Sequence, residues 1–121
     1  MREAFPSLDE AATLSLTVVI PAYNEEQRLP KMLIDCTDYL EERTKTESGF
    51  SYEIILADDG SMDSTTKVGL EWAQKLGTGR FRVLTLAENR GKGGAVTEGV
   101  LRARYKFTHR HTHTHTHIYI N

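Results

Sequence analysis

The sequence predicts an α/β fold of three layers, α/β/α, built around a parallel sheet of three or four strands. Three observations carry that expectation. Short, nearly continuous apolar runs recur along the chain, and each is followed by a stretch with apolar residues at spacings of three and four. Between each run and its helical stretch lies a loop dense in polar, acidic or glycine residues. Alternating strands and helices imply parallel pairing with helices on the sheet faces, and in such sheets ligands bind at the carboxyl ends of the strands.

The first run is Leu16-Thr17-Val18-Val19-Ile20, and Pro21 is expected to stop it. It lacks strict in/out alternation, as does the second run, Tyr52 to Ala57, which is how strands covered on both faces read. Phe81 to Leu86 forms the third. The first helix carries a stripe of Leu29, Met32, Leu33, Cys36, Tyr39 and Leu40, with Gly49 in the loop beyond it. The second carries Val68, Trp72, Ala73 and Leu76 and ends at Gly77, a C-cap residue, with Ser61 or Asp63 expected to cap its start. A shorter third stripe runs through Val96, Val100 and Ala103. Trp72 and Cys36 sit in their stripes and read as core residues.

Length and charge narrow the class. The chain has 121 residues and a net charge of −2, enough for one small domain. A single Cys36 cannot form an internal disulfide, which favours a reducing compartment. No apolar run approaches the roughly 20 residues that span a bilayer, and the opening residues lack a signal-peptide stretch. From Tyr105 onward there are two basic residues and no acid, so the preceding body is more acidic than the whole-chain charge suggests. Such a body offers no electrostatic reason to bind nucleic acid.

The three loops are the candidate site. They are Pro21-Ala22-Tyr23-Asn24-Glu25-Glu26, Asp58-Asp59-Gly60-Ser61-Met62-Asp63 and Glu88-Asn89-Arg90-Gly91-Lys92-Gly93-Gly94. Each alone passes for a turn; all three at strand carboxyl ends suit a nucleotide diphosphate. A carboxylate such as Asp59 can accept a hydrogen bond from a base N–H, and Tyr23 offers an aromatic face and a hydroxyl. Gly91, Gly93 and Gly94 let backbone amides approach a phosphate, and Lys92 adds a point charge just ahead of a helix N-terminus. The dinucleotide fingerprint is absent, because the first loop holds no glycine. A phosphate-binding P-loop is absent too, since Gly93 rather than Ser or Thr follows Lys92. Asp58 also fits a purely local role in its turn, while Glu26 and Glu88 read as solvated acids with Arg90 as a surface partner.

Val18 to Glu26, then Arg28-Leu29-Pro30, then Ala57 to Thr65, resemble the opening of a family 2 inverting glycosyltransferase with the Rossmann-like GT-A fold. Asn89-Arg90-Gly91-Lys92-Gly93-Gly94-Ala95 is similar to the branch that moves glucose from UDP-glucose to dolichyl phosphate, a precursor step of protein N-glycosylation. Dolichyl-phosphate mannosyltransferases, the alternative branch, share the first two motifs but carry a different glycine pattern at the third. The likeness covers residues 14–106; residues 1–13 read as a lead-in and 107–121 as a Thr/His repeat tail foreign to the family. It implies that Pro21, Tyr23 and Glu25 lie around the nucleotide. Asp59, with Asp58 beside it, would hold the uracil edge, and Lys92 would face the base or diphosphate. By the same resemblance, the enzyme works at the cytosolic face of the endoplasmic reticulum membrane, whereas this chain alone is expected to be cytosolic.

Members of that family run much longer and continue into a strand ending in an Asp-x-Asp signature. That signature binds Mg²⁺ or Mn²⁺, which neutralises the leaving diphosphate, and an acidic general base follows it. Here no acid follows Glu98, so the metal ligands and the base are expected to be absent and the chain inactive alone. The family's N-terminal hydrophobic anchor is likewise not seen ahead of Phe5-Pro6-Ser7-Leu8. Two readings follow: an incomplete glycosyltransferase, or a non-catalytic fragment that binds a nucleotide sugar.

All five histidines, His109 to His117 at every second position, alternate chiefly with threonine, as an adenine–cytosine dinucleotide repeat would translate. In an extended chain they would share one face, the geometry of an affinity tag rather than of a structural zinc site. The tail is expected to be extended or irregular and poorly held, leaving the edge of Leu16 to Ile20 open to aggregation.

Overall fold

A computed structural model describes residues 15–103 and 114–118. Its elements are β1 (Ser15–Ala22), α1 (Leu29–Thr46), β2 (Ser51–Asp58), α2 (Thr65–Leu76), β3 (Phe81–Thr85), α3 (Gly91–Leu101) and β4 (Thr114–Ile118). The strands form one parallel sheet in the order β3-β2-β1-β4. This is the α/β architecture expected. The lead-in and most of the repeat tail lie outside the described residues.

Two sheet faces bury different chemistry. Leu16, Val18, Ile20 and Ala22 of β1, with Tyr52, Ile54 and Leu56 of β2, pack in one core with Leu29, Leu33, Cys36 and Leu40 of α1. Val68, Trp72, Ala73 and Leu76 of α2 lean on the same core, with the Trp72 and Phe81 rings 6.4 Å apart. The opposite face holds α3, where Ala95 meets Ala57 and Leu86, and Gly99 lies against Val19. Both faces of β2 are therefore covered, which explains its unbroken apolar run.

Several expectations need correction. Pro21 does not stop β1; it stands opposite Ala57 in the ladder, at the penultimate position of the strand, where a missing N–H costs one end rung. Tyr39 faces outward on α1 and is exposed, its ring approached by the Arg43 guanidinium at 5.9 Å. On α3 the buried positions are Ala95 and Gly99 rather than Val96 and Val100, because the helix sits too close to the sheet for larger side chains. The edge of β1 is not open: Ser15 to Val19 pair in register with Thr114 to Ile118. Threonine and isoleucine favour extended backbone, and the strand supplies the ladder partner that β1 would otherwise lack.

The apolar run of β2 also conceals an acid. Glu53, 1% exposed, accepts from Thr17 Oγ1 at 2.8 Å and from Arg82 Nη2 at 3.0 Å. Arg82 Nη2 in turn donates to the carbonyl of Arg102 at 2.7 Å, tying the end of α3 to β3. A charge buried at this depth is tolerated because it is paired and hydrogen-bonded.

Close helix–sheet contact makes two glycines sensitive. A Cβ at Gly69 would stand 2.5 Å from Leu56 Cδ2, and one at Gly99 would stand 2.5 Å from Val19 Cγ1. Gly69→Ala and Gly99→Ala should each destabilise the fold by about 1–3 kcal/mol in urea titration despite alanine's better helix propensity. Gly79→Ala, with nothing within 4 Å, is the neutral control. Burial pushes the Cys36 thiol from its ordinary 9.0 up to about 11. The buried neutral thiol should resist alkylation at pH 8 until the chain is unfolded, as mass spectrometry would read. Because the folded value is raised, the contribution of Cys36 to stability is fully present below pH 9 and fades as pH rises towards 11.

Candidate functional site

The parallel sheet places the carboxyl ends of β1, β2 and β3 on one edge, and the three loops meet there. Asp59 is where they join. Its N–H donates to the Ala22 carbonyl at 2.8 Å, continuing the β1–β2 ladder past the last rung. Its Oδ1 accepts from Arg90 N at 2.7 Å, and its carbonyl accepts from Asn89 Nδ2 at 3.3 Å. Asp59 is 3% exposed, and its Oδ2 takes no hydrogen bond from a described residue.

Gly60 follows with φ +77°, in the left-handed region that glycine enters without steric cost. A Cβ there would stand 3.4 Å from Asn89 N, so the second and third loops approach closely at this residue. Gly91, with φ +80°, turns the chain into α3, and Asn89 Oδ1 accepts from its N–H at 3.0 Å.

These loops line a cleft of about 420 Å³, within the range of roughly 300–1,000 Å³ typical of small-molecule sites. Pro21 and Ala22 come from the end of β1, Tyr23 and Glu25 from the loop after it, Asp59 from the second loop and Asn89 from the third, joined by Gly91, Lys92 and Ala95 of α3. The arrangement brings together Pro21, Tyr23, Glu25, Asp59 and Lys92, drawn from three segments far apart in sequence. Tyr23 lines the cleft and is 44% exposed. Lys92 lies in the first turn of α3 rather than ahead of it, so its charge adds to the positive end of the helix dipole.

Asp58 is placed differently. It is fully buried and does not line the cleft. Its Oδ1 accepts from Ser61 N at 3.0 Å and its Oδ2 from the Thr66 hydroxyl, so it shapes the turn and ties it to α2. Glu26 is not a free surface acid: its Oε1 accepts from Ser64 N at 3.0 Å while its N–H donates to Asp63 Oδ2 at 3.3 Å. Asp63 accepts from Thr65 N at 2.9 Å but stands one residue ahead of the N-cap position of α2, which Ser64 rather than Asp63 or Ser61 occupies without a side-chain cap bond, and Ser61 serves the first loop. Partial desolvation pulls the Asp63 carboxyl up, but bonds from Thr65 and Glu26 outweigh it and hold the group below the usual carboxylate range. Arg90 contributes its backbone N–H rather than its side chain.

The sequence reading passed over Asn89 and Ala95 as lining residues. Asn89 was legible as a polar residue after the third strand; Ala95 was not, because nothing in its neighbourhood marks it as facing the cleft. Among the described residues no group of three or more His, Cys, Asp or Glu is placed to hold a metal ion. The cleft acids Glu25 and Asp59 meet Arg28, at 3.5 Å, and Arg90 N respectively. No helix among the described residues is long and apolar enough to cross a membrane.

The chain is 52% identical over 103 residues to the dolichyl-phosphate beta-glucosyltransferase of Mus musculus, covering 85% of this chain and 32% of that protein. Against the Homo sapiens protein of the same name identity is 48% with the same coverage. The Saccharomyces cerevisiae protein is 41% identical over 110 residues, 86% of this chain and 32% of that one. The chain thus spans about a third of the length of the curated relatives it matches. Residues 17–108, the stretch holding all three loops and Asp59 at their junction, match the sequence profile of glycosyl transferase family 2, and this chain belongs to that family.

Proposed function

We propose that this chain forms the nucleotide-sugar side of a dolichyl-phosphate beta-glucosyltransferase and that its cleft takes the UDP portion of UDP-glucose. The observation that carries the reading is the buried Asp59, which lines the cleft and spends only Oδ1 on Arg90 N. Uracil presents a ring N–H flanked by two carbonyl oxygens, so Oδ2 accepts from that N–H. Tyr23 stacks on or beside the base, an aromatic contact that holds a planar ligand without demanding a particular edge.

Lys92 and the first amides of α3 supply positive potential on the opposite side of the cleft, where the diphosphate comes to rest. Pro21 lines the cleft from the end of β1, and Glu25 serves as an acceptor for ribose hydroxyls. The step assigned to this chain is donor binding and orientation. Transfer of glucose to dolichyl phosphate with Mg²⁺ or Mn²⁺, at the cytosolic face of the endoplasmic reticulum membrane, is the reaction that this donor site would serve.

Calorimetric titration of the purified chain with UDP, GDP and UMP tests the proposal. UDP should bind, and GDP should bind more weakly because its larger base must displace Tyr23. Asp59→Ala should abolish measurable binding, since it removes the base acceptor and the bond that seats the third loop. Lys92→Ala should weaken UDP more than UMP, with the difference shrinking as salt rises. Unchanged affinity in Asp59→Ala would defeat the assignment.

A further inference from the structure

The first loop contains a residue in a conformation that its type seldom adopts. Asn24 has φ +53°, and it is the one non-glycine residue with positive φ among those described. L-residues pay sterically for this region, and asparagine is among the few that enter it, because its short amide can bond locally. Here the amide bonds to a different loop. Asn24 Oδ1 accepts from Met62 N at 2.8 Å, while Asn24 N donates to Ser61 Oγ at 3.0 Å. The two bonds run in opposite directions across a separation of 37 to 38 residues and close a ring between the first and second loops.

Three further bonds lie directly behind that ring. Glu25 N donates to Thr65 Oγ1 at 2.8 Å, Glu26 N to Asp63 Oδ2, and Ser64 N to Glu26 Oε1. Asn24 itself does not line the cleft, yet its neighbours Tyr23 and Glu25 both do. A reversal of backbone hand at residue 24 is what lets the chain leave β1, present Tyr23, and still bring Glu25 back against α2. Without it, the loop would continue extended past Tyr23 and carry Glu25 away from Thr65 of α2.

We infer that Asn24 is a positioning residue, a clasp that locks the first loop to the second and so holds Tyr23 and Glu25 over the nucleotide cleft. The inference rests on the donor-binding reading for its consequence, not for its geometry. The clasp acts by population: a loop that is only part of the time in place lowers apparent affinity by that fraction. Met62, 88% exposed, contributes its backbone alone, so the bond depends on Asn24 rather than on the side chain it faces.

Three variants of the 121-residue chain separate the possibilities. Asn24→Gly keeps the left-handed backbone and loses Oδ1; Asn24→Ala loses both; Asn24→Asp keeps an acceptor oxygen and tolerates the conformation. Amide hydrogen exchange should quicken in Asn24→Gly and Asn24→Ala at Glu25, Glu26 and Ser64, none of which touches the Asn24 side chain. UDP affinity should fall about three- to tenfold in the same two variants. At high salt, where the added charge is screened, Asn24→Asp should recover both exchange and affinity. Unchanged exchange at those three amides, or Asn24→Gly binding as tightly as the parent, overturns the clasp. If the parent chain binds no UDP, the donor-binding reading falls while the exchange data still decide the role of Asn24.

Discussion

A carboxylate buried at the end of β2 has to be satisfied, and the way Asp59 is satisfied organises the molecule's working edge. Its backbone extends the ladder to β1, and its side chain and carbonyl draw in the third loop from 31 and 30 residues away. Loss of either partner would leave a polar group with little water to replace it, a cost of about 1–3 kcal/mol for each buried group. The cleft is thus not a gap between independent loops. It is a by-product of seating one acid.

The same logic runs through the surrounding acids. Asp58, Asp63 and Glu26 crowd the end of β2 and the loops after β1 and β2. Each accepts from backbone N–H groups or hydroxyls: Ser61 and Thr66 for Asp58, Thr65 for Asp63, Ser64 for Glu26. These donors hold the acids within the loops, while Lys92 lines the cleft.

Helix α3 is held at both ends by groups that lie far from it in sequence. Near its start, Arg90 N is fixed by Asp59; just past its end, the Arg102 carbonyl is fixed by Arg82, which is itself paired with buried Glu53. Between them Gly99 and Ala95 let the helix lie close on the sheet. A helix pinned this way cannot slide along its axis without breaking one of these bonds, so the position of Gly91 and Lys92 at the cleft is set partly by an ion pair at the opposite end of the strands.

Periodicity and loop composition were enough to determine the alternation of strands and helices, the parallel sheet, and the edge where polar loops collect, because burial on two faces and turn chemistry are both local signatures. They also marked Tyr23, Asp59 and Lys92, whose residue types suit a nucleotide before any contact is known. Tertiary structure alone decided which acids face the cleft and which are spent inside the loops: Asp58 and Asp59 are neighbours of the same type, and only their partners tell them apart. It alone showed that Glu53 is buried, that Tyr39 is not, and that Thr114 to Ile118 complete the sheet beside β1. Local sequence encodes the preference of each segment, but hydrogen bonds across thirty or more residues depend on where other segments come to rest.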